Sequence, residues 1–351
     1  MLVEEINLID RDVFARGVPH EWFTYLREHN PVFHHPEPNG PGFWVLSKHA
    51  DVRAVSRDPE TYSSDPVIPL EEEEVPTTTG AKVLIVLDPP EHTRQRKLVN
   101  HAFTPRVINA LEAHVREITV RIVDRAVAKG ACDFVPDVAA EMPVEVIAEL
   151  IGVPREDRYK VFEWTNRSIG VDDPEFFASD DPIERAKWVE QAGIEMFMYV
   201  QELCDRRRRE PRDDIMSELA QAEIDGDKLT EFELAAFFQF LYSAGNETTR
   251  NAAAAGMCAF LDDPLQWDKL VQDPEGLVAS ASEEILRWAS PVMYLRRNVT
   301  RDTELRGHTF KAGDKVSLWY ISANRDEEVF DDPFRFNIER KPNDHLAFGA
   351  A

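Results

Sequence analysis

The chain has 351 residues, 43% of them hydrophobic, and a formal charge of −25 at neutral pH. That apolar content supports a substantial packed core and excludes a disordered tail, while the acidic balance disfavours nucleic-acid phosphates and anionic lipid as partners. The three scattered cysteines, Cys132, Cys204 and Cys258, have neither the even count of a disulfide framework nor the spacing of a zinc site.

The opening residues, MLVEEINLIDRDVFARG, lack the basic and apolar regions of a secretory leader. No run reaches the ~18 apolar residues that a membrane helix needs. A cytoplasmic setting without a membrane anchor is therefore expected. GFWVLS (42–47) has strand character. Residues 63–87 read as a long loop of the kind that forms lids or binding loops. The charge runs EEEE (71–74) and RRRR (206–209) read as solvated surface.

Helical patterns then dominate. Asp88 is the expected N-cap of the next helix, with Pro89 at its first position and Glu91 three residues after the cap. Amphipathic helices follow at about 105–129, 138–151, 155–168, 182–209 and 213–222. Thr230 and Glu233 form a T-x-x-E box opening a long helix that Asp262–Asp263–Pro264 closes. At ~1.5 Å per residue it would be nearly 50 Å long. Helices at about 264–272 and 276–288 end before Pro291. LRGHTFKAGDKVSLWY then reads as strands with Gly turns, KAGDKV being hairpin-like, and the tail as irregular coil. The fold class is mainly α: a helical body with a small β-sheet region built from both chain ends.

Four constellations carry possible chemistry. LYSAGNETTR (241–250) puts polar residues inside the longest apolar helix, where Gly245 costs about 1 kcal/mol against Ala. Either Thr248 or Thr249 bonds back to the preceding turn at a kink, or the small residue admits something large beside an acid–alcohol pair, Glu247 and Thr248. Glu284 and Arg287 stand at i, i+3, a spacing that on a surface is worth under ~1 kcal/mol. His92 and Arg96 lie four apart, which alone suggests only solvated side chains. PFRF (333–336) is followed nine residues later by HLAFG (345–349).

In order, HTRQR, AGNETT, EEILR, PVMYLRRNVTRD, PFRF and HLAFG resemble the cytochrome P450 family of heme-thiolate monooxygenases, soluble bacterial type. The resemblance runs from about residue 10 to the last residues. AGNETTRNA and KVSLWYISANRDE are similar to actinobacterial members that hydroxylate terminal carbons of methyl-branched lipids and steroid side chains. The resemblance implies one domain over residues 1–351 and a heme b (iron protoporphyrin IX) cofactor. Its propionates would be held by His92, Arg96, Arg297 and His345, with Arg296 a near neighbour of the third. Ala244 and Gly245 would leave room for the porphyrin face and bound oxygen, aided by local unwinding of the helix. Thr248 would hydrogen-bond dioxygen or a water beside it, and Glu247 would relay protons.

Further roles follow from the same likeness. Glu284, Arg287 and Arg335 would form a structural triad. A small lipophilic substrate would meet the lid 66–86, the connection 168–177, Phe237 to Ala244, and Val292, Met293, Tyr294 and Leu295. The chain has no GxGxxG element, so electrons would come from a ferredoxin-type donor with its reductase, docking near Arg94 and Lys97.

One departure matters. Phe348, expected at the cofactor, and Gly349 begin the family's F-G-x-G-x-H-x-C-x-G motif, whose axial Cys would fall four residues beyond Ala351. None of the three cysteines present is a fitting substitute. The Cys loop and final helix are therefore expected to be missing, and these residues alone to be inactive. The alternative is a naturally truncated, heme-free relative acting as a small-molecule-binding or regulatory protein. It would have no use for Thr248 or Arg297, yet both are present.

Overall fold

A computed structural model describes residues 5–65, 82–103, 105–169, 181–224 and 226–350. The EEEE run lies outside the described residues. The chain divides into two compact units: the first is Met1–Glu73 with Asn251–Ala351, the second Glu74–Arg250.

The N-terminal part of the first unit alternates short helices and strands: α1 (Arg11–Arg16), α2 (His20–His29), β1 (Val32–His35), β2 (Phe43–Leu46), α3 (His49–Ser56) and β3 (Tyr62–Ser63). Asp10 caps α1 by accepting from the Asp12 N–H, and Gly17 ends it. GFWVLS supplies β2, as its apolar, β-branched composition predicts.

The second unit is helical: α4 (Glu91–Ala102), α5 (Pro105–Lys129), α6 (Glu141–Ile151), α7 (Arg158–Ile169), α8 (Pro182–Arg209), α9 (Ile215–Gln221) and the first part of α10 (Glu231–Asp262). The T-x-x-E box forms as read: the Thr230 N–H donates to Glu233 at 2.8 Å and the Glu233 N–H to Thr230 Oγ1 at 3.2 Å. The Asp88 cap does not. Pro90 occupies the N-cap position without a side-chain bond, and Asp88 contributes its carbonyl, which accepts from the His92 N–H at 2.9 Å. The Pro89–Pro90 pair delays the helix by two residues, because a proline has no N–H to give an Asp cap.

The core of this unit joins Leu98, Ile147, Trp164, Met196 and Leu203 to Phe238 and Tyr242, one turn apart on α10 and both fully buried. Arg207 corrects the reading of RRRR as solvated surface, since it is only 2% exposed. Its Nε donates to Asp214 Oδ2 and its Nη2 to the Gly152 carbonyl, both at 2.6 Å. Four consecutive helical residues sweep about 300°, so one of four arginines on a packed helix must face inward. Asp214 in turn caps α9 by accepting from the Ser217 N–H at 2.7 Å.

Gly152 ends α6 at φ +93°, and a Cβ there would meet Asp214 Oδ2 at 2.2 Å. Gly152→Ala thus combines left-handed backbone strain with a disrupted buried ion pair and should cost about 3 kcal/mol or more. Urea unfolding measures it; a loss below about 1 kcal/mol would mean the Arg207–Asp214 pair can shift freely.

The chain returns to the first unit with α11 (Pro264–Gln272), α12 (Pro274–Ala289), β4 (Tyr294–Val299), β5 (Thr303–Leu305), β6 (His308–Phe310), β7 (Lys315–Trp319) and α13 (Tyr320–Ala323). The main sheet has the order β1-β2-β7-β4-β3, with only β2 and β7 parallel. It draws on residues 32–63 and 294–319, as expected of a sheet built from both chain ends. KAGDKV is not a hairpin within one sheet. β6 pairs with β5, while the turn at 311–314 carries the chain across to β7, which is buried along its whole length. Asp314 anchors that crossing by accepting from Trp44 Nε1 at 2.9 Å. The architecture is mainly helical with small sheets, and among the described residues no helix is long and apolar enough to cross a membrane.

Candidate functional site

The sequence-predicted site residues divide between the units and are taken within each. In the second unit, α10 runs uninterrupted through the AGNETT cluster, so the expected local unwinding is not seen there. Thr248 Oγ1 donates to the Ala244 carbonyl at 2.6 Å, the back-bond that a threonine inside a helix makes when no other partner takes its hydroxyl. Glu247 is half-buried and pairs with Arg250 one turn on. Gly245 faces α6: a Cβ would meet Ile147 Cδ1 at 2.9 Å, so its missing side chain admits a neighbouring helix. Asn246 is fully buried and neither of its amide atoms takes a hydrogen bond. Such a group destabilises the fold unless ordered water serves it.

His92 and Arg96 share a face of α4. Burial, and next the nearby Arg96 guanidinium, hold the His92 imidazole below its ordinary value. Arg96 is exposed and has no acidic partner among the described residues. Two adjacent basic side chains, one cationic and unpaired, suit an anion. Arg94, expected at a docking surface, is instead engaged inside the unit, where it pairs with Asp227 at 3.2 Å and with Glu233 of the capping box. Lys97 remains exposed.

In the first unit, Arg297 lies on β4 and its Nη1 donates to the Arg296 carbonyl at 2.9 Å. It too lacks a carboxylate among the described residues. Arg296 is buried and turned to Asn298 Oδ1 at 2.7 Å. The His345 side chain is buried; its Nε2 lies 2.9 Å from Glu283 Oε2, and its Nδ1 accepts from the Ala347 N–H. That arrangement places the proton on Nε2. Phe348 is 81% exposed, a large apolar surface for a side chain with no covering group. Arg96 in the second unit and Arg297 in the first are each a cation without an acid among the described residues, and each by itself suits a carboxylate.

The triad is partly redrawn. Glu284 and Arg287 form a fully buried bidentate pair with both contacts at 2.8 Å. The second guanidinium, however, is that of Arg340, whose Nε lies 3.1 Å from Glu284 Oε2. Arg335 is exposed at its side chain and contributes only its carbonyl, accepting from Arg287 and Arg340. Phe336, Ile338 and Arg340 are buried while Arg335 is exposed, and a turn in which the Arg340 N–H donates to the Asn337 carbonyl at 3.0 Å leads the chain to Arg340 beside Glu284.

Val292 and Leu295 pack against one hydrophobic cluster of the first unit, Met293 and Tyr294 against another. All four therefore have packing roles. Phe237, Phe238, Leu241 and Tyr242 likewise belong to the core of the second unit. Residues 66–81 of the lid and 170–177 of the connection lie outside the described residues. Cys204 is buried, and burial pushes its thiol up to about 12, the opposite of what a thiolate ligand requires. Cys132 and Cys258 are exposed.

Comparison with known proteins bears on the whole chain. The cytochrome P450 family model matches residues 6–349. A steroid C26-monooxygenase of Rhodococcus jostii is 41% identical over 359 aligned positions, covering 99% of this chain and 74% of that protein. A methyl-branched lipid omega-hydroxylase of Mycobacterium tuberculosis is 41% identical over 336 positions, covering 93% and 77%. Among solved structures, Mycobacterium marinum cytochrome P450 CYP268A2 in complex with pseudoionone superposes with a TM-score of 0.90 at 35% identity, covering 99% of this chain and 86% of that one.

Proposed function

This chain belongs to the cytochrome P450 family, and from that premise we propose that it works as one domain, a cytoplasmic monooxygenase hydroxylating the side chain of a steroid or a methyl-branched lipid. Substrate, dioxygen, two electrons and two protons would give the alcohol and water. The observation that carries this reading is 41% identity, over nearly all of the chain, to a steroid C26-monooxygenase and a methyl-branched lipid omega-hydroxylase. The heme-free alternative has no observation on its side.

Heme b, when bound, supplies the redox chemistry that activates dioxygen toward an unactivated C–H bond. The protein's part is to hold, orient and deliver. His92 and Arg96 in the second unit, and Arg297 and His345 in the first, are the residues that would hold heme carboxylates; His345 would first release Glu283 or share its proton with both. Phe348 would gain apolar cover from that group. Thr248 can exchange its bond to the Ala244 carbonyl for one to water or oxygen at no loss of helix, because the main-chain ladder is intact. Glu247, next to Thr248 in sequence and paired with Arg250, would pass protons.

Electrons come from a separate ferredoxin-type protein with its reductase. Lys97 is retained as a contact for it and Arg94 is withdrawn. Because Cys204 is buried as a neutral thiol and Cys132 and Cys258 lie outside the family's ligand motif, we place the axial thiolate outside these 351 residues. On this reading the 351 residues alone do not turn over.

The test is the reduced carbon monoxide complex of the full-length protein, expected to give a thiolate-type Soret band. Its ferric Soret band should also shift on adding a steroid with an intact side chain or a methyl-branched fatty acid. A well-folded full-length protein without that band would sink the proposal.

A further inference from the structure

Tyr320 opens α13 directly after β7 and is 2% exposed within the apolar cluster that also holds Leu46, Val316, Leu318 and Leu346. Packing alone would be served by Phe, so the position of the hydroxyl needs a reason. Three neighbours in the same unit bear on it. The Arg297 guanidinium, which has no carboxylate among the described residues, lies close enough to favour the phenolate against the dominant effect of burial, which pushes the phenol up. Ser56, the last residue of α3, lies close to the same phenol, yet its buried Oγ takes no hydrogen bond of good geometry. Gly349, at φ +78°, brings the HLAFG turn over the ring: a Cβ there would stand 4.0 Å from Tyr320 Oη. The turn is held by the Gly349 N–H donating to the Leu346 carbonyl at 2.9 Å.

A buried phenol, a buried unsatisfied hydroxyl and an acid-free guanidinium are three donors gathered without an acceptor of matching charge. Buried polar groups left so are costly; a carboxylate has lone pairs for the phenol and the guanidinium together, and the phenol oxygen can in turn accept from Ser56. Neither Tyr320 nor Ser56 belongs to the motifs that suggest cofactor contacts in the sequence.

We infer that Tyr320 is a further carboxylate-binding residue, its O–H donating to the propionate that Arg297 grips, with Ser56 supporting the phenol from α3. The inference rests on the heme-binding reading above. It predicts that the phenol discriminates between a porphyrin with free carboxylates and one without.

The experiment uses the full-length protein, ferric protoporphyrin IX and its dimethyl ester. Affinity is taken from fluorescence quenching, and retention from the rate of transfer to an apoglobin acceptor. Tyr320→Phe keeps the packing volume and should weaken binding of the diacid about tenfold, the worth of one hydrogen bond to a charged group, while leaving the diester unchanged. Ser56→Ala should have a smaller effect in the same direction. Equal affinity of wild type and Tyr320→Phe for the diacid, or equal losses for diacid and diester, would overturn the inference. So would a larger effect of Ser56→Ala than of Tyr320→Phe, which would put the serine on the carboxylate. Wild-type protein that binds neither porphyrin would instead overturn the heme-binding reading itself, and this inference with it.

Discussion

Glu284→Gln is expected to destabilise the first unit by about 3–5 kcal/mol, the cost of breaking one member of a buried ionic cluster. Glu284 and Arg287 are both fully buried. The carboxylate accepts from Arg287 twice at 2.8 Å, from the Asn337 N–H at 2.9 Å, from Arg340 Nε at 3.1 Å and from Asn343 Nδ2 at 3.3 Å. Arg287 also donates to the Asn324 and Pro333 carbonyls at 2.8 and 2.9 Å, so the cluster ties α12 to α13 and to the coil beyond it. Glutamine keeps the volume but removes the charge and turns an N–H₂ toward guanidinium donors. Two buried cations are then left without an acid, a larger penalty than the loss of any one bond. Trp288 stands beside the cluster, with Arg287 and Arg325 over its ring, and reports the unfolding in urea by fluorescence. Arg340→Gln should follow Glu284→Gln at about half the cost, while exposed Arg335→Gln should stay within about 0.5 kcal/mol of wild type. If Arg335→Gln proved the more damaging of the two, the redrawn cluster would be wrong.

That comparison marks where sequence reasoning reached and where it stopped. Helices were largely legible from their chemical punctuation: the Thr230–Glu233 box forms and Asp181 caps α8, whereas Asp263 before α11 makes no side-chain cap bond and Asp88 fails as a cap before its two prolines. Partner choice was less legible, because it depends on which face a residue occupies once the chain is packed. PFRF drew attention to Arg335 by its motif, yet the turn that follows it leads to Arg340, which is buried while Arg335 is not. Four arginines in a row looked solvated by composition, yet helical phase buries Arg207 against Asp214. KAGDKV looked like a hairpin because turn residues fix a reversal locally and say nothing of which strand waits across it. The polar cluster of α10 was found from composition alone. Its hydrogen bonds were half anticipated: Thr248 makes the back-bond that was one of the two readings, without the kink, while Gly245 accommodates Ile147 rather than an unwound turn.

Glu247→Gln should lower product formation about a hundredfold at neutral pH, the lower end of what a positioned general acid contributes. Glutamine preserves the length and most contacts of the side chain but has no exchangeable carboxyl proton. Glu247 is half-buried and bound to Arg250 on the same helix, so the loss of that pair should cost the fold under about 1 kcal/mol. Activity and stability are therefore separable at this residue, as they are not at Glu284. Thr248→Ala provides the second arm: it removes a hydroxyl whose present bond only returns to the Ala244 carbonyl, and the main-chain helix does not depend on it. Its expected signature is continued oxygen and electron consumption with little alcohol formed, whereas Glu247→Gln should slow consumption and product together. The measurement is the ratio of product to oxygen and to electrons consumed, at matched heme content in the full-length protein. A wild-type ratio in Thr248→Ala would remove the hydroxyl from oxygen chemistry and leave it a helix back-bond. An unchanged rate in Glu247→Gln would mean that protons arrive by another route, for which the buried, unsatisfied amide of Asn246 next to it would be the first place to look.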